Sequence, residues 1–392
     1  MSNLKFSWLP QPLLLLSLSH MITDLSQGAL PILLPSLKTT LDLSYTQVGI
    51  IVLVQNVTSS IIQPIFGVIT DKVSLPWLLP VSVFLSGLGL AITGFMSTYG
   101  TLLLSVIVGG LGVAGFHPQA SKSVHFVSSD ALRGRSMGLF SVGGNFGMAT
   151  GAAFMMLLIT LPGGLHNSAW FVLPGSVTAL LLWRHLDKVS PHSFHRAGKA
   201  ATATTKSIQM APLMVLLTFI FCRSTLHAGL STYIPIYYIN YLNGSPVYAG
   251  YLLSLFLFGG VFGTFIGAML SDKFGRKTII TFSMVVVLPM VAAIPFTSGI
   301  TTMVLLVFTG FALISSFATT LVLSQEMMPG YEGMASGLTI GLTIGLGGVG
   351  VTGLGYIADQ SGIPAVFKIM ALLPVLGGLL ALFLPGRLLQ RD

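Results

Sequence analysis

Asp24 and Arg223 are the residues of this sequence best placed to do chemistry, because each stands in the middle of a long apolar run. His20 comes four residues before Asp24 and His227 four after Arg223, so each pair shares one face of a helix. A charge at the centre of a bilayer costs about 2.5–3.5 kcal/mol on insertion scales, so such residues are expected to face a cavity or each other. A carboxylate beside an imidazole can take up and release a proton. A guanidinium can hold a carboxylate or phosphate in a two-pronged fork. His117, Gln119 and Lys122 add polar groups toward one end of another run, and Asn145 stands among Gly143, Gly144 and Gly147 in the next. Lys122 either helps Arg223 attract an anion or extends its apolar stem toward the headgroups. Asn145 either lines the cavity or bonds a neighbouring helix.

Other chemistries find less support. No Gly-x-Ser-x-Gly, His-Glu-x-x-His or Gly-Lys-Ser/Thr stretch is present, so an enzyme is not expected and no cofactor is implied. The runs Gly110-Leu-Gly-Val-Ala-Gly115 and Gly345-Leu-Gly-Gly-Val-Gly350 resemble a dinucleotide loop only in spacing. Neither follows a strand, and both lie in apolar runs where glycines let helices approach closely. A metal exporter could draw on His20, Asp24, His117 and His227 as ligands. Lys122 and Arg223 are expected to repel a cation there, so the site is read without a metal. Cys222 is the single cysteine and can form no intrachain disulfide.

The elements that carry these residues follow from composition. Only 7% of residues are charged and 53% are hydrophobic, whereas a soluble domain averages about a quarter charged. A helix needs roughly 20 apolar residues to cross a bilayer, which leaves room for about twelve crossings. Six apolar runs lie between Gln11 and Leu186 and six between Ala211 and Leu384. The first carries Asp24 and no small-residue cleavage pattern, so it is read as a mature helix. The formal net charge of +8 comes from Lys and Arg placed in alternate gaps, among them Lys72, Arg133, Arg135, Lys188, Lys273, Arg276 and Lys277. That asymmetry puts both termini in the cytoplasm and speaks against a nucleic-acid partner. Residues 188–209 are polar and basic, the composition of a flexible linker. His192 and His195 within it are read as solvated.

The two sides of that linker repeat each other. Gly67-Val-Ile-Thr-Asp71-Lys72 follows the second run, and Ala268-Met-Leu-Ser-Asp272-Lys273-Phe-Gly275-Arg276-Lys277 follows the eighth. Gly134-Arg-Ser-Met-Gly138 opens the fifth, and Gly333-Met-Ala-Ser-Gly337 the eleventh. Weak internal repeats of this kind mark secondary transporters. With these motifs the chain resembles the major facilitator superfamily. Ser19-His20-Met-Ile-Thr-Asp24, Gln63-Pro64, Phe116-His117-Pro118-Gln119, Val142-Gly-Gly-Asn145-Phe-Gly147 and Gln325-Glu326 narrow the resemblance to the fosmidomycin resistance proteins, bacterial inner-membrane drug exporters.

The resemblance implies an all-α membrane protein: twelve transmembrane helices in two pseudo-symmetric six-helix bundles, 1–187 and 210–392, joined by the linker. It implies alternating access working as a single chain, with a small anionic substrate expelled in exchange for protons. Asp24 and Arg223 would then border a central cavity, near enough to pair. It also implies a cytoplasmic gate at Gly67, Asp71, Lys72, Asp272, Lys273, Gly275, Arg276 and Lys277. Glu326 either joins that gate or is a solvated helix-end carboxylate. Gln119 replaces a Glu of those exporters, and Ala152 follows Gly151 where drug antiporters carry Gly-Pro. Both departures motivate a second reading, uptake or exchange of an organic anion by the same fold. The glycines spaced by four at Gly143, Gly147 and Gly151 are expected to face the other half, as are Gly341 and Gly345. Pro31, Pro35 and Pro235 are expected to loosen the outer ends of the first and seventh helices.

Overall fold

The computed structural model describes residues 11–128, 133–189, 208–328 and 332–385. The linker between 190 and 207 and both chain ends lie outside the described residues. Among the described residues there is no strand. The helices are α1 (Gln11–Thr40), α2 (Tyr45–Asn56), α3 (Gln63–Lys72), α4 (Leu78–Thr93), α5 (Tyr99–Val127), α6 (Arg133–Ile159), α7 (Val172–Arg184) and α8 (Leu186–Val189). They continue as α9 (Met210–Ile236), α10 (Pro246–Phe274), α11 (Arg276–Ala293), α12 (Gly299–Ile314), α13 (Phe317–Met327), α14 (Glu332–Ser361) and α15 (Ile363–Leu382). Among the described residues nine helical stretches are long and apolar enough to cross a bilayer. With α1 and α14, each 30 residues long, and the apolar 16-residue α4, they account for the twelve crossings expected from the sequence.

Local chemistry sets the ends of these helices. Ser44 and Gln47 form a capping box at the start of α2, and Thr98 and Thr101 do the same for α5, satisfying amides that a helix start leaves open. Gly275 separates α10 from α11 at φ +90°, and Gly362 separates α14 from α15 at φ +78°, a backbone region that other residues enter at a cost. Pro31 and Pro35 do not break α1, which runs through both. Pro235 lies within α9, and a π-helical turn, Tyr237–Tyr241, follows it.

By its internal contacts the chain groups into two compact units. The first comprises Met1–Leu30 and Thr58–Ala197, the second Pro31–Val57 and Gly198–Asp392. The boundaries fall at Pro31, inside the continuous α1, and at the π-helical turn Val57–Ile61 that joins α2 to α3.

In the first unit the glycines of α6 seat α1. A side chain at Gly143, Gly147 or Gly151 would collide with the carbonyls of Ser17, Met21 and Leu25, one helical turn apart on α1. The sequence reading sent this stripe toward the other half; in the structure the three glycines admit α1 of their own unit. In the second unit Gly259, Gly263 and Gly267 of α10 meet the backbone of α12 and the turn after it, at Val307, Phe311 and Ser315. On α14, Gly348 and Gly355 lie against α2, while Gly347 and Gly350 lie against α9. Gly341, paired with Gly345 in the sequence, has open space where a side chain would start.

Candidate functional site

The close approach of α1 and α6 fixes the surroundings of Asp24. Its carboxylate lies between two imidazoles: His20 Nε2 is 3.2 Å from Oδ2, and His117 Nε2 is 3.4 Å from Oδ1. Gln27 Nε2, one turn along α1, donates to Oδ1 at 3.0 Å. His20 is oriented from its far side, where Nδ1 is 2.7 Å from the carbonyl oxygen of Phe140 on α6. A carbonyl only accepts, so Nδ1 carries the hydrogen, and in a neutral ring Nε2 turns its lone pair toward Asp24. The Phe140 ring stacks on His20 at 4.1 Å between centroids, and the His117 ring meets it edge-on at 5.0 Å. The side chains of His20 and Asp24 are 11% and 9% exposed and that of His117 is 21% exposed, so access to the cluster is widest on the His117 side.

The other predicted residues of the first unit lie around this cluster in different ways. Gln119 is buried on α5. Lys122 Nζ donates to Thr70 Oγ1 on α3 at 2.9 Å. Asn145 is exposed on α6, beside the buried Gly144 that abuts His20 and Asp24.

In the second unit Arg223 is 1% exposed on α9. Its Nη1 donates to Thr320 Oγ1 on α13 at 2.9 Å, and the guanidinium lies over the Phe317 ring at 5.3 Å. His227, one turn further on α9, packs its ring against Phe256 of α10 at 5.3 Å. Arg223 and Asp24 belong to different units, and each takes the partners named above from its own.

Among the predicted gate residues, Arg276 at the start of α11 pairs with Glu326 near the end of α13. Lys277 Nζ donates to the Leu382 carbonyl at the end of α15, at 2.6 Å. Asp272 is exposed in the last turn of α10, and Lys273 lies over the neighbouring Phe274 ring. A side chain at Gly67 would meet nothing within 4 Å. The side chains of Asp71 and Lys72 lie outside the described residues.

Several contacts escaped the sequence reading. The Phe140 carbonyl, Gln27, Thr70, Thr320 and Phe317 are the partners of predicted residues. Asp359, just past the eleventh apolar run, caps α2 from α14. It accepts from the amides of Tyr45 at 2.7 Å and Thr46 at 2.9 Å, and from Thr46 Oγ1 at 2.5 Å. Burial pushes the Asp359 carboxyl up, but these bonds outweigh it and hold it below the usual carboxylate value. An aspartate at that distance in sequence, with ordinary polar neighbours, gives no local signal of such a cap.

Comparison with known proteins settles the family. The pattern described as the Major Facilitator Superfamily matches residues 16–352. The chain belongs to the major facilitator superfamily. This transporter is 35% identical over 375 residues to the fosmidomycin resistance protein of Escherichia coli (strain K12), covering 94% of this chain and 91% of that one. It is 34% identical to the uncharacterized MFS-type transporter YfnC of Bacillus subtilis (strain 168), covering 95% and 92%. The crystal structure of a mutant of the nucleoside transporter NupG superposes on it with a TM-score of 0.76 at 12% identity, covering 95% of this chain and all of that one. The transporter is thus an all-helical, multi-pass membrane protein of the major facilitator fold, as its motifs imply.

Proposed function

We propose that the transporter expels a small anionic compound, of the phosphonate-antibiotic type, across the bacterial inner membrane in exchange for protons. The observation that carries this reading is the buried carboxylate of Asp24 between His20 and His117. Three groups that can exchange protons are gathered where hydrocarbon makes a fixed charge costly. Arg223 supplies the complementary chemistry in the second unit. Thr320 positions its guanidinium through Nη1, and a planar guanidinium is the side chain whose fork matches a phosphonate or carboxylate. The similarity to the fosmidomycin resistance protein of Escherichia coli supports an antibiotic of that chemistry as substrate. Protons thus act on the first unit and the anion on the second. The Arg276–Glu326 pair belongs to a cytoplasmic gate, whose strength at the surface is on the order of 1 kcal/mol or less, weak enough to open in each cycle.

The test is transport into everted membrane vesicles with an acid interior and labelled fosmidomycin outside. The wild type accumulates the label and loses it when the pH gradient is collapsed. Asp24→Asn folds, inserts and shows no pH-driven accumulation; unchanged accumulation in that variant contradicts the assignment. Gln119 favours a second reading, uptake or exchange of an organic anion, because an amide cannot titrate. Reversing the imposed gradient separates the two, since an exporter moves substrate toward the acid side and an uptake symporter away from it.

A further inference from the structure

We infer that His20, Asp24 and His117 form a binding site for one divalent transition-metal ion of the zinc class. One donor atom each from His20, Asp24 and His117 lies within 4.8 Å of the others. The two imidazole-to-carboxylate separations are 3.2 and 3.4 Å. Ligands held about 2.0–2.1 Å from a tetrahedral ion stand about 3.3–3.4 Å apart, so each imidazole already stands at about that distance from one oxygen of the carboxylate, and a small shift of the rings would bring all three donors onto one ion. Two neutral nitrogens and one carboxylate oxygen suit zinc, cobalt or nickel better than the all-oxygen preference of magnesium or calcium.

The surroundings add a second, independent argument. Metal-bound histidines commonly donate their other ring N–H to a carbonyl, which fixes the tautomer and aims the lone pair. His20 does this through Nδ1 and the Phe140 carbonyl at 2.7 Å. Its Nε2 is then the ring atom aimed at Asp24 Oδ2, and the space between the two atoms takes either a proton or a metal ion. Gln27 donates to Asp24 Oδ1 and orients the carboxylate from the side. Gly144 presents bare backbone to this pair, and a methyl group there would collide with His20 Nε2 and lie 2.7 Å from Asp24 Oδ2. Lys122, which the sequence reading set against a cation at this place, donates to Thr70. Three protein ligands leave a fourth position for water or another ligand, on the side where His117 is most exposed. An ion bound here takes the place of protons on the same groups.

This inference does not rest on the transport reading, because its test needs no substrate. Isothermal titration of the purified full-length protein with zinc chloride is expected to show one tight site per chain. His117→Ala, Asp24→Asn and Gly144→Ala are each expected to weaken that site at least tenfold, while His166→Ala, remote on the chain from all three ligands, leaves it unchanged. Cobalt chloride provides the second measurement, since a tetrahedral site gives an intense visible absorption that His117→Ala removes. Comparable thermal melting of the metal-free variants shows that they are folded; if one does not fold, the cobalt spectrum and zinc stoichiometry of the wild type decide alone. A wild type without a stoichiometric zinc site, or a site of equal affinity in folded His117→Ala and Asp24→Asn, overturns the assignment and leaves the cluster as a proton site only.

Discussion

The two buried charges of this transporter are held in opposite ways. Asp24 is surrounded by groups that can themselves gain or lose charge, with His20 and His117 on its oxygens. Arg223 is positioned by a hydroxyl and an aromatic ring, which direct a guanidinium without titrating. Membrane depth imposes a similar penalty on both, so the difference lies in what each surrounding permits. A carboxylate among imidazoles is a group that can change its charge by moving a proton, whereas a guanidinium keeps its charge and can change only what it holds. A proton-exchanging centre and an anion-holding centre need those two properties respectively.

Mutations can break or sharpen this contrast. The largest effect is expected from Asp24→Asn, which should abolish pH-driven transport, measured as initial rate in vesicles, because an amide between the imidazoles cannot titrate. Next is Arg223→Ala, expected to weaken substrate binding roughly tenfold or more, the scale of a lost hydrogen bond to a charged group at about 1.5–3 kcal/mol. Arg223→Lys should recover only part of it, since an ammonium lacks the planar fork. If both charges instead served only to hold the fold, the two substitutions would lower the melting temperature and leave the affinity of the folded fraction unchanged.

Stability separates the two kinds of glycine. Gly147→Ala places a methyl group on the Met21 carbonyl and is expected to cost about 1–3 kcal/mol, read as a lower melting temperature. Gly67→Ala meets nothing and, being inside α3, should be neutral or stabilising by up to about 1 kcal/mol in the same assay. The smallest effect concerns Asp359. Its carboxyl is held below the usual value, so its cap on α2 is fully present above the ordinary carboxylate pKa and lost only as pH falls through the lower folded value. Asp359→Asn should therefore lower the melting temperature slightly and by the same amount at pH 5 and pH 8. A difference that grows sharply between those two values would mean that the Asp359 carboxyl titrates well above the ordinary carboxylate range.

What could be read from the sequence was whatever repeats at helical spacing or disturbs an apolar run. Asp24 and Arg223 stood out because hydrocarbon makes charge rare, and His20 and His227 because four residues make one turn. The twelve crossings followed from the length of the apolar runs. Partners brought from distant segments left no local trace. Phe140 contributes to His20 through a backbone carbonyl, which every residue possesses, and Thr320 is one of many hydroxyls in apolar helices. The glycines of α6 were recognised as a close-packing stripe, but spacing along one helix does not say which neighbour it admits, and α1 proved to be that neighbour. The basic cluster after α10 was legible as a charged corner; that Arg276 reaches Glu326 depended on where α13 ends.

The central claim is that substrate and protons exchange through the same cycle, with Asp24 as the acidic group. The most direct measurement is proton release from purified transporter in weak buffer as fosmidomycin is added, followed with a pH-sensitive dye. The account predicts that the wild type releases protons in proportion to substrate bound and that Asp24→Asn binds substrate without releasing them. Substrate binding with no proton release in the wild type, or equal release in Asp24→Asn, would contradict it.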